Sequence, residues 1–296
     1  MSPGALPTLS TFTAADGTAL AQYDWPLDES RTSRGMVLVV HGLGEHARRH
    51  ERVAQVLHAA GFAVRAFDQY GHGASPGLRG RLTRPARLLD DLGEMLAATR
   101  AQLAPALPLM LLGHSMGGLV AALHVAQRPT PVQALVLSSP AFDAGLSAVQ
   151  KFLLATLPRI APHFAVGNQL DPRLISHDPA VVAAYRADPL VHDRISGRLG
   201  RFIAQGGPEV LAQAPGWTLP TLLLYAGSDA LVAPRGSRAF AAAAPSAVLS
   251  AHCFPGLYHE IFNELDAAPV FACLRAWLDA RFPPAAAAPA TTAPRR

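Results

Sequence analysis

The chain has 296 residues, of which 50% are hydrophobic and 16% charged, enough apolar material for one large core and too little charge for a disordered chain. Its formal net charge of +4 comes from arginines scattered along the sequence, with Lys151 the only lysine, so it lacks the basic block that a nucleic-acid surface needs. Cys253 and Cys273 are the only cysteines. They exclude a disulfide framework and any CxxC zinc or redox site, and they point to a reduced, cytoplasmic protein.

In chain order, MSPGALPTLSTFTAADG has neither the positive start nor the apolar stretch of a signal peptide. Segments 9–13 and 19–25, on either side of Asp16-Gly17, predict an antiparallel hairpin at a sheet edge. Apolar runs then alternate with amphipathic stretches. The runs at 35–41, 62–68, 107–113, 134–140, 220–227 and 247–254 read as strands. Segments 47–60, 85–102, 116–127 and 269–281 read as helices. Most of the strand runs are nearly continuous in apolar residues, as in a parallel sheet covered on both faces, and none approaches the roughly 20 residues of a membrane span. The βαβ rhythm predicts an α/β fold with a doubly wound sheet.

The rhythm breaks between 141 and 214, which reads as a helical lid or cap inserted between two parts of the core, 1–140 and 215–282. Val149, Phe152, Leu153 and Leu157 form one apolar stripe there, and Ile195, Leu199, Phe202 and Ile203 another, both at helical spacing. Most of these side chains are expected to pack on the sheet and the remainder to cover an apolar pocket. From Pro283 the run PPAAAAPATTAPRR predicts a disordered tail.

Gly113-His114-Ser115-Met116-Gly117 fits G-x-S-x-G, with a strand before it and a helix after it. A turn this sharp needs small flanking residues and presents Ser115 at the carboxyl edge of the sheet as a nucleophile, with the Met116 N–H at the helix start facing developing negative charge. The alternative is a structural glycine turn. A serine nucleophile needs a histidine base and a carboxylate to orient it, in the chain order serine, acid, histidine. Asp229 follows a buried strand on the same edge, although an aspartate there could also cap the helix ahead of Pro234. Beyond it lie only His252, inside a strand, and His259, in a loop after Pro255-Gly256. His259 is the better base, its alternative role being a cap for the segment from Ile261. His114 is expected to face away from Ser115 and to pack or support the site from behind, Asp68 and His72 to brace a turn, and Glu260 and Glu264 to sit on a solvated helix face, with support of the histidine loop as their alternative role.

LVVHGLGEH (38–46) has two histidines and a glutamate about a Gly-Leu-Gly turn. No later ligand pair has zinc spacing, and no phosphate-loop lysine follows. Taken together, HGLGEH, FDQYGHGASPG, GHSMGG, GSDALV and YHEIFNE resemble the α/β-hydrolase superfamily in order and spacing, specifically its monoacylglycerol lipase and lysophospholipase branch. Asp188-Pro189-Leu190 matches a further segment of that branch. The resemblance covers roughly residues 10–281.

It implies an α/β-hydrolase fold with Ser115 as nucleophile, Asp229 as acid and His259 as base. It also implies an oxyanion hole of the Leu43 and Met116 backbone N–H groups, no cofactor and no metal. Gly42 and Gly44 would let the chain turn tightly enough for the Leu43 N–H to face Ser115, leaving Glu45 and His46 to brace the loop. The implied substrate is a small-molecule lipid ester, a monoacylglycerol first and a lysophospholipid or other carboxylic ester second, with transient membrane-surface contact through the lid. A lipid-binding scaffold without catalysis is the competing class.

Overall fold

The computed structural model describes residues 6–28, 30–145 and 164–284. The first apolar stripe of the expected lid and all but the first two residues of the tail lie outside them. Strands β1 (Thr8–Thr13) and β2 (Ala19–Trp25) form the expected antiparallel hairpin. The chain then lays down β3 (Gly35–Val40), β4 (Phe62–Phe67), β5 (Leu109–His114) and β6 (Ala134–Ser138). A separate ribbon of β7 (Ala165–Gly167) and β8 (Arg194–Ser196) follows, and β9 (Thr221–Ala226) and β10 (Leu249–Phe254) complete the main sheet.

That sheet has eight strands in the order β1-β2-β4-β3-β5-β6-β9-β10. It is parallel from β4 to β10, with β1 and β2 antiparallel at one edge.

Both faces of the sheet are covered, which is why its strands read as continuous apolar runs. The side-chain period of two sends Leu38, Val40, Leu111 and Leu137 into one core and Val37, Val39, Leu112 and Val136 into the other. Helices α1 (Glu51–Ala59), α2 (Arg87–Gln102) and α3 (Met116–Gln127) fall where the periodicity predicts, although 47–50 is a 3₁₀ turn leading into α1.

The stretch between β6 and β9 contains α4 (Pro179–Ala187) and α5 (Gly197–Gln213). It also holds the β7–β8 ribbon, which sequence alone does not predict because three-residue strands are too short to show a period. Leu199 and Ile203 of α5 are buried in the core that also holds Leu119 and Leu123 of α3, as expected, but the stripe does not lie on one helix: Ile195 is on β8, and it and Phe202 are only partly buried. Helices α6 (Pro234–Ala243) and α7 (Ala268–Arg281) complete the layers. The parallel strands all end on one edge, and the loops after β3, β5, β9 and β10 bring Leu43, Ser115, Asp229 and His259 to it.

Candidate active site

Because β5 ends at His114 and α3 begins at Met116, Ser115 alone turns the chain, with φ 53° and ψ −122°. A side chain in that conformation is strained and persists only where its surroundings enforce it. Here they do: the Ser115 N–H donates to Ser138 O at 2.9 Å, and Ser115 O accepts from Ala141 N at 3.0 Å. Glycines supply the room. A Cβ at Gly113 would come within 2.5 Å of Gly117 O, and one at Gly117 would collide with the carbonyl oxygens of Val40 and His41.

Three residues separated in sequence meet at this corner. His259 Nε2 is 2.8 Å from Ser115 Oγ, and His259 Nδ1 is 2.6 Å from Asp229 Oδ2. The other Asp229 oxygen accepts the N–H groups of Leu231 and Val232, both at 2.9 Å. An ionised carboxylate can only accept, so Nδ1–H donates to it and the Nε2 lone pair is left facing the serine hydroxyl. Burial alone would lower the His259 pKa. The charge and hydrogen bond of Asp229, with Glu260 and Glu45 farther off, outweigh burial and hold it above the ordinary imidazole value. His252 lies on the edge strand β10 and is solvent-exposed.

His114 does not simply turn away from the site. Its ring packs on that of His259, with centroids 4.8 Å apart, while its Nδ1 lies 3.1 Å from Ser138 Oγ. Burial first, and the neighbouring His259 second, push its pKa well below the ordinary value, so a neutral ring lies against the His259 imidazole.

The Gly42–Leu43 peptide borders Ser115, since a Cβ on Gly42 would lie 3.1 Å from that of Ser115. His41 fixes its plane. The Gln69 N–H donates to His41 Nε2 at 2.9 Å, so the proton sits on Nδ1, which donates to Gly42 O at 2.8 Å. In a trans peptide the N–H points opposite to the carbonyl; holding the Gly42 carbonyl therefore sets the direction of the Leu43 N–H. Leu43 and Met116 both line the cavity that reaches Ser115.

Glu45 accepts the Gly42 N–H at 2.6 Å and pairs with Arg49 and His50, both at 3.1 Å, which makes it the loop brace the sequence suggests. Asp68 likewise braces its turn by accepting from Ala47 N and Ala74 N, and His72 Nδ1 meets Tyr70 O.

Glu260 and Glu264 are a correction: neither is solvated. Glu260 takes Arg49 with both oxygens, and Glu264 accepts from Tyr258 N at 2.6 Å and His177 N at 3.0 Å. The 3₁₀ turn after His259 directs them inward, where they clamp the histidine loop. Their acidity suggested exposure, and no local pattern revealed arginine and backbone partners so distant in sequence.

Two hollows meet at Ser115. One is walled by Met116, Ala141, Leu170, Ile195, Ile203 and Val232 and is apolar. The other presents Glu45, His114, Tyr185 and Glu260. Among the described residues, no three His, Cys, Asp or Glu side chains are grouped to hold a metal ion.

The fold and the serine-bearing turn define a class, the serine hydrolases of the α/β-hydrolase fold. A family profile described as "Serine aminopeptidase, S33" matches residues 31–266. The monoacylglycerol lipase of Mycolicibacterium smegmatis is 36% identical over 271 residues, covering 90% of this chain and 95% of that protein. The crystal structure of Paleococcus ferrophilus monoacylglycerol lipase is 34% identical with a TM-score of 0.79, covering 88% of this chain and 98% of that one. A soluble variant of Saccharomyces cerevisiae monoglyceride lipase, in complex with a substrate analogue, is 25% identical with a TM-score of 0.86, covering 95% and 98%. The chain belongs to the serine aminopeptidase S33 family of α/β-hydrolases, among its lipases and esterases.

Proposed function

We propose that this protein is a monoacylglycerol lipase that cleaves single-chain lipid esters through an acyl-enzyme on Ser115. The observation that carries the reading is the junction at Ser115 of an apolar hollow and a smaller one whose mixed lining includes Glu45, His114, Tyr185 and Glu260. The first suits an acyl chain and the second a small polyol, and the ester bond would lie between them, over the serine. The extent of its similarity to monoacylglycerol lipases supports the same reading.

In this mechanism His259 takes the Ser115 proton as Oγ attacks the ester carbonyl. The Leu43 and Met116 N–H groups receive the oxyanion, each contributing about 3 kcal/mol to transition-state stabilisation. His259 returns the proton to the departing glycerol oxygen, then activates the water that frees the fatty acid, while Asp229 remains ionised and holds the tautomer. No cofactor takes part in these steps. The described part of residues 141–214, which gives Ala141, Leu170, Ile195 and Ile203 to the apolar hollow, serves in this reading as its lid or cap and touches the lipid surface transiently. No helix among the described residues is long and apolar enough to cross a membrane.

The test is an ester panel of monoacylglycerols, lysophospholipids, triacylglycerols and short nitrophenyl esters, with Ser115→Ala as the blank. Monoacylglycerols are expected to be cleaved fastest, and the blank to be inactive on all. A lysophospholipid preference, or hydrolysis confined to short soluble esters, would replace the lipase reading with a lysophospholipase or general carboxylesterase. An unaffected Ser115→Ala variant would remove the serine mechanism altogether.

A further inference from the structure

The turn that carries Leu43 is anchored from two sides. The core side consists of His41 and Glu45. The other side is built by the segment between α4 and β8, in which one carboxylate makes two of the contacts. Asp188 Oδ2 lies 2.8 Å from His46 Nε2, at the far end of the turn. Asp188 Oδ1 accepts the Leu190 N–H at 2.9 Å, and Asp188 O accepts the Val191 N–H at 3.2 Å. Those two bonds shape the 188–191 turn, which delivers the His192 N–H to Gly44 O at 2.8 Å.

The fit is tight enough to need glycine. Gly44 has φ 74°, and a Cβ there would collide with His192 O. One oxygen of Asp188 therefore holds His46, and the other organises the backbone that holds Gly44. These two residues follow Leu43 at one and three positions.

We infer that Asp188 is a positioning residue for catalysis, fixing the Leu43 N–H through His46 and the 188–192 turn and so making the oxyanion site depend on the docked segment between α4 and β8. Asp188 touches no reacting atom in this reading; it limits how far the turn can rotate as negative charge develops on the substrate oxygen. The inference rests on the proposed role of Leu43, and the experiment separates the two.

The probe is a long-chain alkyl trifluoromethyl ketone, whose carbonyl carbon bonds to the serine oxygen and whose carbonyl oxygen becomes a stable oxyanion. Its inhibition constant is measured beside kcat and KM for a monoacylglycerol in the wild type and in Asp188→Ala, Asp188→Asn and His46→Ala. In Asp188→Ala the His46 anchor goes and the 188–191 turn keeps only its main-chain bond, so kcat should fall by about 30-fold, with the affinity for the ketone falling in parallel and KM changing little. In Asp188→Asn the amide oxygen still accepts from Leu190, and its NH2 can donate to a His46 that has moved its proton to Nδ1. Near wild-type rates are therefore expected there.

His46→Ala loses one anchor and should fall by about 5-fold, and adding it to Asp188→Ala should cost less than about 2-fold more, because the pair acts as a unit. Unchanged kcat and ketone affinity in Asp188→Ala, a loss confined to KM, or multiplicative losses in the double variant would overturn the inference. If Asp188→Ala does not fold, as a thermal melt would reveal, His46→Ala decides alone, and an unchanged ketone affinity there overturns it. A wild type that the ketone does not inhibit, or that Ser115→Ala leaves equally active, would instead remove the serine mechanism beneath it.

Discussion

A histidine accepts a proton only when neutral, so the pH at which His259 loses its own proton sets the acidic limb of the rate. Burial pulls that value down, but Asp229, Glu260 and Glu45 lift it above the ordinary value. The profile of kcat/KM should therefore rise with pH through an apparent pKa above about 6.5. Asp229→Asn removes the main lifting charge. It should move this limb to lower pH while cutting kcat by about 10⁴, because the amide favours the wrong tautomer; a limb that stays in place would rule out Asp229 as the partner.

Glu45 answers to pH with the opposite sign. Burial opposes its ionisation, but the hydrogen bond and charge of His50, with Arg49, outweigh burial, and its carboxyl is held well below the usual range. Its contribution to stability is complete above the unfolded value of about 4.3 and is lost as pH falls toward the lower folded value. Glu45→Gln should flatten the fall of the urea midpoint below about pH 5 and, at pH 7, reduce stability by about 3 kcal/mol by leaving Arg49 without one of its partners. A wild-type midpoint that falls no more steeply than that of the variant would contradict this.

At this scale Ser115, Asp229 and His259 were legible because a strand-turn-helix context and a fixed chain order single them out. Asp188 stood out only as part of a matching segment and Glu264 only as an acid near His259; their partners were not legible, because each is a backbone amide or a ring brought close only by the fold.

Among the elements, the junction of β5 and α3 tolerates little change, because the N-terminus of α3 lies directly against the end of β3. Adding one methyl group in Gly117→Ala would force α3 away from the Val40 and His41 carbonyls. That should lower stability by about 2–3 kcal/mol, the usual cost of overpacking. It should also reduce kcat sharply, since Ser115 moves with the helix. Gly256→Ala is the control: a Cβ there meets nothing within 4 Å, so denaturant midpoints should differ by less than about 0.5 kcal/mol. Equal effects at the two positions would mean that close packing at the turn is not what the glycine serves.

The same junction explains what sequence could and could not give at the level of elements. β3, β5, β6 and β9 are buried on both faces and announce themselves as apolar runs. β7 and β8 are fixed by pairing with each other and by the Ser196 N–H bond to Gly80 O, which no periodicity encodes. The register that brings Asp188 to His46 depends on those same long-range contacts.

At the scale of the whole molecule, the β7–β8 ribbon links the catalytic cavity to the surface. Val166 pairs with Ile195, which lines the cavity beside Ser115. Phe164, two residues before Val166, falls on the same side of the chain by the alternation of extended backbone. Phe164 is 69% exposed and Val166 49%, while Leu78, in the loop that bonds to β8 through Gly80, is 63% exposed. Large apolar side chains left open on and beside the ribbon that gives Ile195 to the cavity are the surface that the proposed contact with lipid would use.

Replacing Phe164 and Val166 together with serine should remove about 1 kcal/mol of surface affinity per side chain, since only part of each would be buried against lipid. The rate on monoacylglycerol in vesicles would then fall by about 10-fold or more, while the rate on a short, soluble nitrophenyl ester would stay within about 2-fold, because the residues around Ser115 are untouched. Vesicle co-sedimentation of the inactive Ser115→Ala background, with and without the two substitutions, reads the same affinity without turnover. An equal fall on both substrates would identify the ribbon as a support for the cavity wall and exclude it as the contact through which lipid reaches the serine.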